Sequence, residues 1–367
     1  MTSPLSVKAE APSPAGSPTP IPDNDVIAIA AVGDIMLASP YPDDSRMPAD
    51  DGRGMLDKVA PILSTADIAF GNMEAPIIDR GTSPKCKPKE PKTPTPTPTP
   101  TPDPSATPKP IRCYAFRMPT RYAKYLKEAG FDVMSVANNH ALDFGAAGIL
   151  STRRALDANG IKHAGGDRAK FSTAYLDVKG KKIAFVGFAF NTVSPNVNDL
   201  VTAKRLVQQA DKQADIVVVS FHGGAEGSAY EHVPKQTEVF FGEKRGNLPL
   251  FARTVIDAGA DLVLGHGPHV LRGMEIYKDR LIAYSLGNFA TYGWFSLRNE
   301  TALTMILESH LAPDGKFLGG KIHAGKQVGR GIPILDSSGE AIKKIRSLAQ
   351  SDFPDTHPTI EDDGWIR

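Results

Sequence analysis

The sequence has few cysteines, no long apolar run and almost no net charge, and each of these absences excludes a class of site, location or partner. Only two cysteines occur among 367 residues, and because no CxxC spacing accompanies them, neither is predicted to bind a metal or act as a nucleophile. No apolar run approaches the roughly 18 residues that a membrane-spanning helix needs, and the N-terminus lacks the basic start and apolar core of a secretory signal. Lys plus Arg total 42 against 41 Asp plus Glu, so no long-range field attracts nucleic acid or an anionic membrane. We therefore expect a chain that is soluble as written and has no nucleic-acid partner.

Two segments are poor in core-forming residues and rich in proline. Residues 1–24 form a Pro, Ser, Ala and Thr tail that is predicted to be disordered. Such a tail is typical of a surface protein tethered through an anchor that this chain lacks, or alternatively of an ordinary cytoplasmic protein. Residues 91–110 alternate Thr with Pro, and because proline fixes φ and lacks an amide donor, they are predicted to form an extended excursion. We expect one domain over residues 25–340, with a Thr/Pro-rich insertion at about 86–113 and a C-terminal extension at 341–367.

The two cysteines, Cys86 and Cys113, flank that excursion. A disulfide between them would clamp the base of the insertion and restrict the unfolded chain by about 3–4 kcal/mol. It would also indicate an oxidising compartment, in agreement with an extracytoplasmic protein associated with the cell surface. The alternative is a pair of free thiols in a reducing cell.

Runs of apolar, strand-like residues alternate with helix-like runs along most of the chain. The pattern predicts helices over residues 55–64 and 146–159, and a hairpin formed by residues 174–178 and 182–188. Alternation of this kind predicts a layered α/β or α/β/α domain.

Five short polar clusters each follow a strand-like run directly. They are Gly33-Asp34, Gly71-Asn72-Met73-Glu74, Asn138-Asn139-His140 with Asp143, His222-Gly223-Gly224, and His266-Gly267-Pro268-His269. Because residues just past the carboxyl ends of parallel strands face one crevice, clusters that are distant in sequence are expected to converge. A site rich in Asp, Glu, Asn and His suits a borderline divalent metal.

Each cluster also has a purely structural explanation when it is taken alone. Asp34 could hydrogen-bond the backbone of a turn, and Asp143 could cap a helix that starts near residue 146. The functional interpretation depends on the shared placement of these residues, since four of the nine histidines lie within three residues of an expected strand end. These four are His140, His222, His266 and His269. The other five are expected to be structural or surface residues.

The order of the five clusters resembles the CapA family of poly-γ-glutamate capsule-synthesis proteins, which are similar in fold to calcineurin-like metallophosphoesterases. The most specific stretches are ADLVLGHGPH at residues 260–269 and LIAYSLGNF at 281–289, and the similarity covers about residues 26–310. The resemblance implies an α/β/α arrangement or a β-sandwich flanked by helices. It also implies a metal-dependent hydrolase that acts on a phosphoester or a surface polymer, or alternatively a non-catalytic accessory of a membrane-bound capsule-synthesis or export complex.

The resemblance assigns roles to individual positions. Metal ligands would be Asp34, Glu74, Asn139, His222, His266 and His269, holding one or two ions of Mn, Zn or Fe. His140 would be the catalytic group, as a general acid or a stabiliser of developing charge. Supporting residues around the pocket would be Asn72, Asp143, Glu226 and Asn288. Met36 stands where the metallophosphoesterases have a ligand histidine, which favours the accessory, whereas His140 favours the enzyme.

Overall fold

The computed structural model describes residues 25–86, 113–168 and 170–367. The sequence predictions for the tail at 1–24 and the excursion at 91–110 lie outside these residues. The strands are β1 (Ile27–Met36), β2 (Ile68–Met73), β3 (Val133–Ser135), β4 (Lys162–Ala164), β5 (Thr173–Val178), β6 (Lys181–Ala189), β7 (Ile216–His222), β8 (Glu238–Phe240), β9 (Glu243–Gly246), β10 (Leu262–His266), β11 (Met274–Tyr277), β12 (Arg280–Ala283), β13 (Asn288–Thr291), β14 (Leu303–Leu311), β15 (Phe317–Val328), β16 (Ile332–Leu335) and β17 (Trp365–Ile366). The α-helices are α1 (Ala60–Leu63), α2 (Ala123–Glu128), α3 (Gly145–Ala158), α4 (Leu200–Asp211), α5 (Leu248–Ile256) and α6 (Glu340–Asp352). Within the described ranges, no helix has both the length and the apolar character needed to cross a bilayer.

The strands form two large sheets. The first has the order β16-β15-β14-β1-β2-β3-β4, with β13 paired to β1 and β17 paired to β15. The second has the order β11-β12-β10-β7-β6-β5. Strands β1 to β4 run parallel in the first sheet, and β6, β7, β10 and β12 run parallel in the second. The carboxyl ends of β1, β2, β3, β7 and β10 carry the five polar clusters identified in the sequence.

The two sheets pack face to face around an apolar core. Phe70 of the first sheet stacks on Phe185 of the second with ring centroids 5.4 Å apart, and Val218 and Leu264 are fully buried in the same cluster. Each large apolar side chain buried in this way stabilises the fold by about 1.5–3 kcal/mol. Every residue of β7 is buried, which explains why the strand is an apolar run without alternation.

Helices cover the outer faces of both sheets. Helices α1, α2 and α3 pack on the first sheet, and α4 and α5 pack on the second. Helix α5 begins where the Asn247 side chain accepts a hydrogen bond from the Leu250 amide, with Pro249 in the first turn. The order of layers is therefore helix, sheet, sheet, helix, which confirms the predicted α/β class in its form as a helix-flanked β-sandwich.

The segments at residues 55–64 and 341–367 have features that the sequence pattern did not indicate. The helix predicted over residues 55–64 is regular only in α1, because Pro61 lacks an amide donor and is tolerated in a first turn but not in a helix interior. Residues 341–367 contribute Ile342, Ile345 and Ile366 to the core between the sheets, and α6 packs against β11, β14 and β15.

The structure joins Cys86 to Cys113 by a disulfide with 5.4 Å between the Cα atoms. This distance lies in the usual range for such a bond. The disulfide links the two described ends of the insertion, whose residues 87–112 lie outside the described part of the chain.

Candidate metal centre

Strand β1 changes partner at Asp34. Residues up to Val32 pair with β14, whereas Asp34 lies opposite Asn72 of β2 and Asn288 of β13. The Asp34 amide donates to Gly287 O at 2.9 Å, and a Cβ atom on Gly33 would lie only 2.0 Å from that oxygen. Glycine at position 33 is thus required for the close approach that brings Asp34 next to Asn288.

The first sheet supplies two carboxylates held by one amide. The Asn72 Nδ2 group donates to Asp34 Oδ1 at 2.8 Å and to Glu74 Oε2 at 2.9 Å. All three side chains are fully buried. Asn138, which belongs to one of the five polar clusters but received no role of its own from the sequence, donates in turn to Asn72 Oδ1 at 3.3 Å and to the Met73 carbonyl at 2.8 Å. Its only signal in the sequence is its place in the Asn-Asn-His cluster.

The second sheet supplies imidazoles to the same place. His222 and His266 are register partners at the ends of β7 and β10. His222 Nδ1 lies 3.5 Å from Glu74 Oε2, and His269 Nδ1 lies 2.9 Å from Asp34 Oδ2. His269 Nδ1 is also 3.1 Å from Asn288 Oδ1. Side chains from both sheets therefore meet between the strand ends.

Several buried polar atoms near this junction have no hydrogen-bond partner among the described residues. They are Glu74 Oε1, His222 Nε2, His266 Nδ1 and Asn139 Oδ1. Buried polar atoms are seldom left unpaired, so the unpaired atoms on Glu74 and His222, two side chains in contact, point to a bound ligand. Asp34, Glu74 and His222 each offer one ligand atom, and these atoms lie within 4.8 Å of one another. The cluster is compatible with a divalent cation.

Burial and mutual contact set the charges of the cluster. Burial raises the pKa of Glu74 well above its usual value, and the neighbouring Asp34 carboxylate adds to the rise. Burial is the largest single effect on Asp34 and acts to raise its pKa, but the hydrogen bond with His269 and the charges of His269, His222 and His266 together outweigh it and lower that pKa to about 2. Burial lowers the pKa of His222 well below its usual value. A cation would compensate two closely spaced buried carboxylates.

His140 lies beside the cluster and is held by Asp143. His140 Nδ1 is 2.7 Å from Asp143 Oδ2, and His140 Nε2 is 3.8 Å from Glu74 Oε1. Burial lowers the pKa of His140, and the Asp143 carboxylate opposes that shift. The alternative that Asp143 caps helix α3 is wrong, since Phe144 is the cap residue and the Asp143 oxygens bond Lys85, Phe116 and His140 instead.

A cleft of about 620 Å³ opens onto this cluster. His140, His269 and Asn139 line it, and Asn139 is partly exposed. Its walls are aromatic, formed by Tyr114, Phe116, Phe240, Phe241, Trp294 and Phe295. Glu226 lies in the wall and accepts a hydrogen bond from Arg245 Nη1 at 2.7 Å.

Most of the candidate site residues chosen from the sequence lie in direct contact with one another, but a few do not. Direct contacts of 3.9 Å or less connect eight of them, namely Asp34, Asn72, Glu74, His140, Asp143, His222, His269 and Asn288. His266 joins through its register with His222, and its Nε2 lies 3.2 Å from the Val32 carbonyl oxygen. Asn139 and Glu226 are placed on the cleft surface rather than in this contact network. Lys85, Phe116 and Arg245 were missed, because no motif marks them.

The chain is thus an α/β protein built as a helix-flanked β-sandwich, with a buried Asp, Glu and His cluster at the strand ends. Residues 28–292 match the family described as Bacterial capsule synthesis protein PGA_cap, so the chain belongs to that family. This result confirms the resemblance to the CapA family that the sequence indicated.

Individual relatives agree with the family. The Capsule biosynthesis protein CapA of Bacillus anthracis is 27% identical over 333 residues, covering 86% of this chain and 71% of that protein. The PGA biosynthesis protein CapA of Bacillus subtilis is 30% identical over 308 residues, covering 80% and 70%. A probable polyglutamine synthesis accessory protein of Mycobacterium tuberculosis is 30% identical over 181 residues, covering 42% and 44%. A solved structure of a putative 5'-nucleotidase from Staphylococcus aureus has a TM-score of 0.45 and 14% identity, covering 89% of this chain and 58% of that chain.

Proposed function

We propose that this chain is a metal-dependent hydrolase that serves the synthesis of a cell-surface polymer. The observation that carries the proposal is the placement of His140, whose Nε2 lies 3.8 Å from Glu74 Oε1, an oxygen without a hydrogen-bond partner. A metal site with a purely structural role has no need of an imidazole held beside it by a carboxylate.

Asp34, Glu74 and His222 would hold the cation, and His266, His269 and Asn139 are the further proposed ligands. The donor set of carboxylates, imidazoles and one amide suits Mn, Zn or Fe, as one ion or two. When bound, such a cation supplies Lewis acidity, which neutralises charge on a substrate oxygen and makes water nucleophilic near neutral pH.

His140 would move a proton at its Nε2 atom. With its Nδ1 hydrogen donated to Asp143, the ring would present Nε2 towards the cluster, and the Asp143 carboxylate would stabilise the ring when it gains a second proton. The Phe116 ring stacks on one face of the His140 imidazole with ring centroids 4.0 Å apart. This contact restricts rotation of the imidazole and keeps water from that face. The protonated ring would then donate to the leaving oxygen.

The substrate we propose is a surface polymer, such as poly-γ-glutamate, or a phosphoester linked to its assembly. The names of the two Bacillus relatives support the polymer, since both refer to capsule or PGA biosynthesis. An extracytoplasmic location is supported by the disulfide between Cys86 and Cys113. Association with a membrane capsule-synthesis complex would follow from that role.

A non-catalytic accessory is the second candidate, and Met36 favours it. Met36 is fully buried in the apolar cluster of the first sheet, so the position offers no imidazole to a metal. The Mycobacterium tuberculosis relative is named an accessory protein. An accessory would keep the fold without turnover.

The two candidates are separated by metal content and turnover of the purified protein. We expect bound Mn, Zn or Fe, with hydrolysis of a generic aryl phosphate or of poly-γ-glutamate that falls about 10²–10⁴-fold in His140→Ala, the usual contribution of a general acid. The matched control is His232→Ala, because His232 also pairs with an aspartate but lies at the surface with a side chain 66% exposed. Wild-type protein that folds cooperatively yet is metal-free and inactive on both substrates would overturn the enzyme and favour the accessory.

A further inference from the structure

The disulfide joins the two chain segments that contact Asp143. Lys85 directly precedes Cys86, and its Nζ donates to Asp143 Oδ1 at 3.0 Å. Phe116 lies three residues after Cys113, and its backbone amide donates to Asp143 Oδ2 at 2.7 Å. Both carboxylate oxygens of Asp143 are therefore occupied from segments that Cys86 and Cys113 tie together.

These contacts continue to His140. Asp143 Oδ2 also lies 2.7 Å from His140 Nδ1, and the Phe116 ring stacks on the imidazole at an interplanar angle of 25°. Asp143 is 1% exposed, so its charge depends on these donors and not on water. Two residues beside the disulfide thus fix the carboxylate and one face of the ring.

The disulfide connects the segment that carries Lys85 to the segment that carries Phe116 more firmly than the ion pair of Lys85 could. On one side of Lys85 and Phe116, the Ile78 amide donates to the Met118 carbonyl at 2.8 Å and ties the two segments together. On the other side, the disulfide between Cys86 and Cys113 connects the same two segments. The Lys85 side chain is 42% exposed, and a partly exposed ion pair alone is weak. Lys85 and Phe116 are held between two fixed points.

We propose that Lys85 and the Cys86–Cys113 disulfide are positioning elements for His140, acting through Asp143 and Phe116. The inference rests on the proposed function for the role of His140, but the geometry it describes exists in the metal-free chain. Reduction by a dithiol would break the S–S bond, deliver two electrons and two protons to form the thiols of Cys86 and Cys113, and oxidise the dithiol to its disulfide. The reduced protein would then hold His140 less firmly.

The test compares Lys85→Met and the double variant Cys86→Ser with Cys113→Ser. The matched control is Lys127→Met, since Lys127 makes a similar ion pair with Asp132 and its side chain is 47% exposed. Thermal unfolding establishes that each variant is folded. The first readout is the NMR correlation of imidazole nitrogens with ring protons in metal-free protein, where the His140 signals are assigned by their loss in His140→Gln.

We expect wild-type His140 to show a single tautomer with hydrogen on Nδ1. Lys85→Met and the cysteine variant should show altered His140 signals, while Lys127→Met and Lys85→Arg keep the wild-type spectrum. In turnover, the two test variants should lose about 10-fold or more in kcat, a typical effect of residues that orient a reacting group, with KM within about twofold. Wild type treated with a dithiol should behave like the cysteine variant.

Unchanged His140 signals in Lys85→Met, which retains the disulfide, would overturn the proposal whether or not the cysteine variant folds. Equal changes in Lys127→Met would overturn it too, because the effect would not be specific to Asp143. If wild type has no turnover, the proposed hydrolase fails, but the His140 spectrum still decides the positioning role.

Discussion

At the scale of single residues, Glu308 illustrates how a charge is stabilised away from the cleft. His310 Nε2 lies 2.7 Å from one Glu308 oxygen and His323 Nε2 lies 2.8 Å from the other. These two hydrogen bonds lower the pKa of Glu308 and outweigh the opposing effect of burial. A carboxyl group whose pKa is lowered by folding stabilises the protein above its unfolded pKa, and this contribution is lost as the pH falls through the folded pKa.

Glu308→Gln should therefore lower the free energy of unfolding by about 1.5–3 kcal/mol near pH 7, the range for hydrogen bonds to a charged group. The difference from wild type should shrink as the pH falls below about 4.3, the usual pKa of glutamate in an unfolded chain. Urea unfolding between pH 3 and pH 7 measures it. Glu361→Gln is the control, since Glu361 pairs at the surface with Arg367. A difference that stays constant over this pH range would contradict the expectation.

The polar ligand candidates could be selected from the sequence because each follows an apolar strand, and the fold directs strand ends to one place. Asp34, Glu74 and His222 illustrate this. The partner of Asp143 could not be decided from spacing, because a carboxylate before a helix suits either a cap or a neighbouring imidazole. Lys85 and Phe116 could not be found at all, because the contacts that place them depend on long-range packing and a disulfide.

At the scale of elements, the contact between β1 and the segment before β13 positions the cluster. The backbones approach so closely that a Cβ atom at Gly33 would meet Gly287 O at 2.0 Å and Leu286 O at 2.7 Å. Both neighbours are backbone atoms and cannot rotate away.

Gly33→Ala should destabilise the protein by about 1–3 kcal/mol, the range for overpacking, and should also reduce bound metal because Asp34 must shift. Gly180→Ala is the control: position 180 has φ +73° but open space around it, so we expect backbone strain of about 1–2 kcal/mol without loss of metal. Denaturant unfolding and elemental analysis provide both readouts. Wild-type stability and metal content in Gly33→Ala would show that the close approach is not needed.

Elements with strong local patterns could be predicted, and those fixed by distant pairing could not. The hairpin predicted at 174–178 and 182–188 is found as β5 and β6. In contrast, β13 is only four residues long, and its parallel pairing with β1 joins segments more than 250 residues apart. No local periodicity encodes that register.

At the scale of the whole molecule, the α/β class followed from alternating patterns, but the meeting of two sheets at one cluster is a property of the assembled fold. Asp34 and Glu74 come from the first sheet, and His222 and His269 come from the second. A cation held between these groups would connect the sheets across their shared edge. Its binding should therefore stabilise the domain as a unit.

Addition of Mn²⁺ or Zn²⁺ to chelator-treated protein should raise the unfolding midpoint, because a ligand at 100 times its Kd adds about 2.7 kcal/mol to the native state. Asp34→Asn should remove the metal-dependent part of this rise, while Asp257→Asn, at a surface ion pair with Lys278, should retain it. Comparing shifts rather than midpoints separates metal binding from the hydrogen bonds that Asp34 makes in the metal-free protein. An equal shift in both variants would place the cation elsewhere on the chain. Asp34 contacts both Asn72 and His269, so removal of its charge must weaken the binding of any cation at this junction.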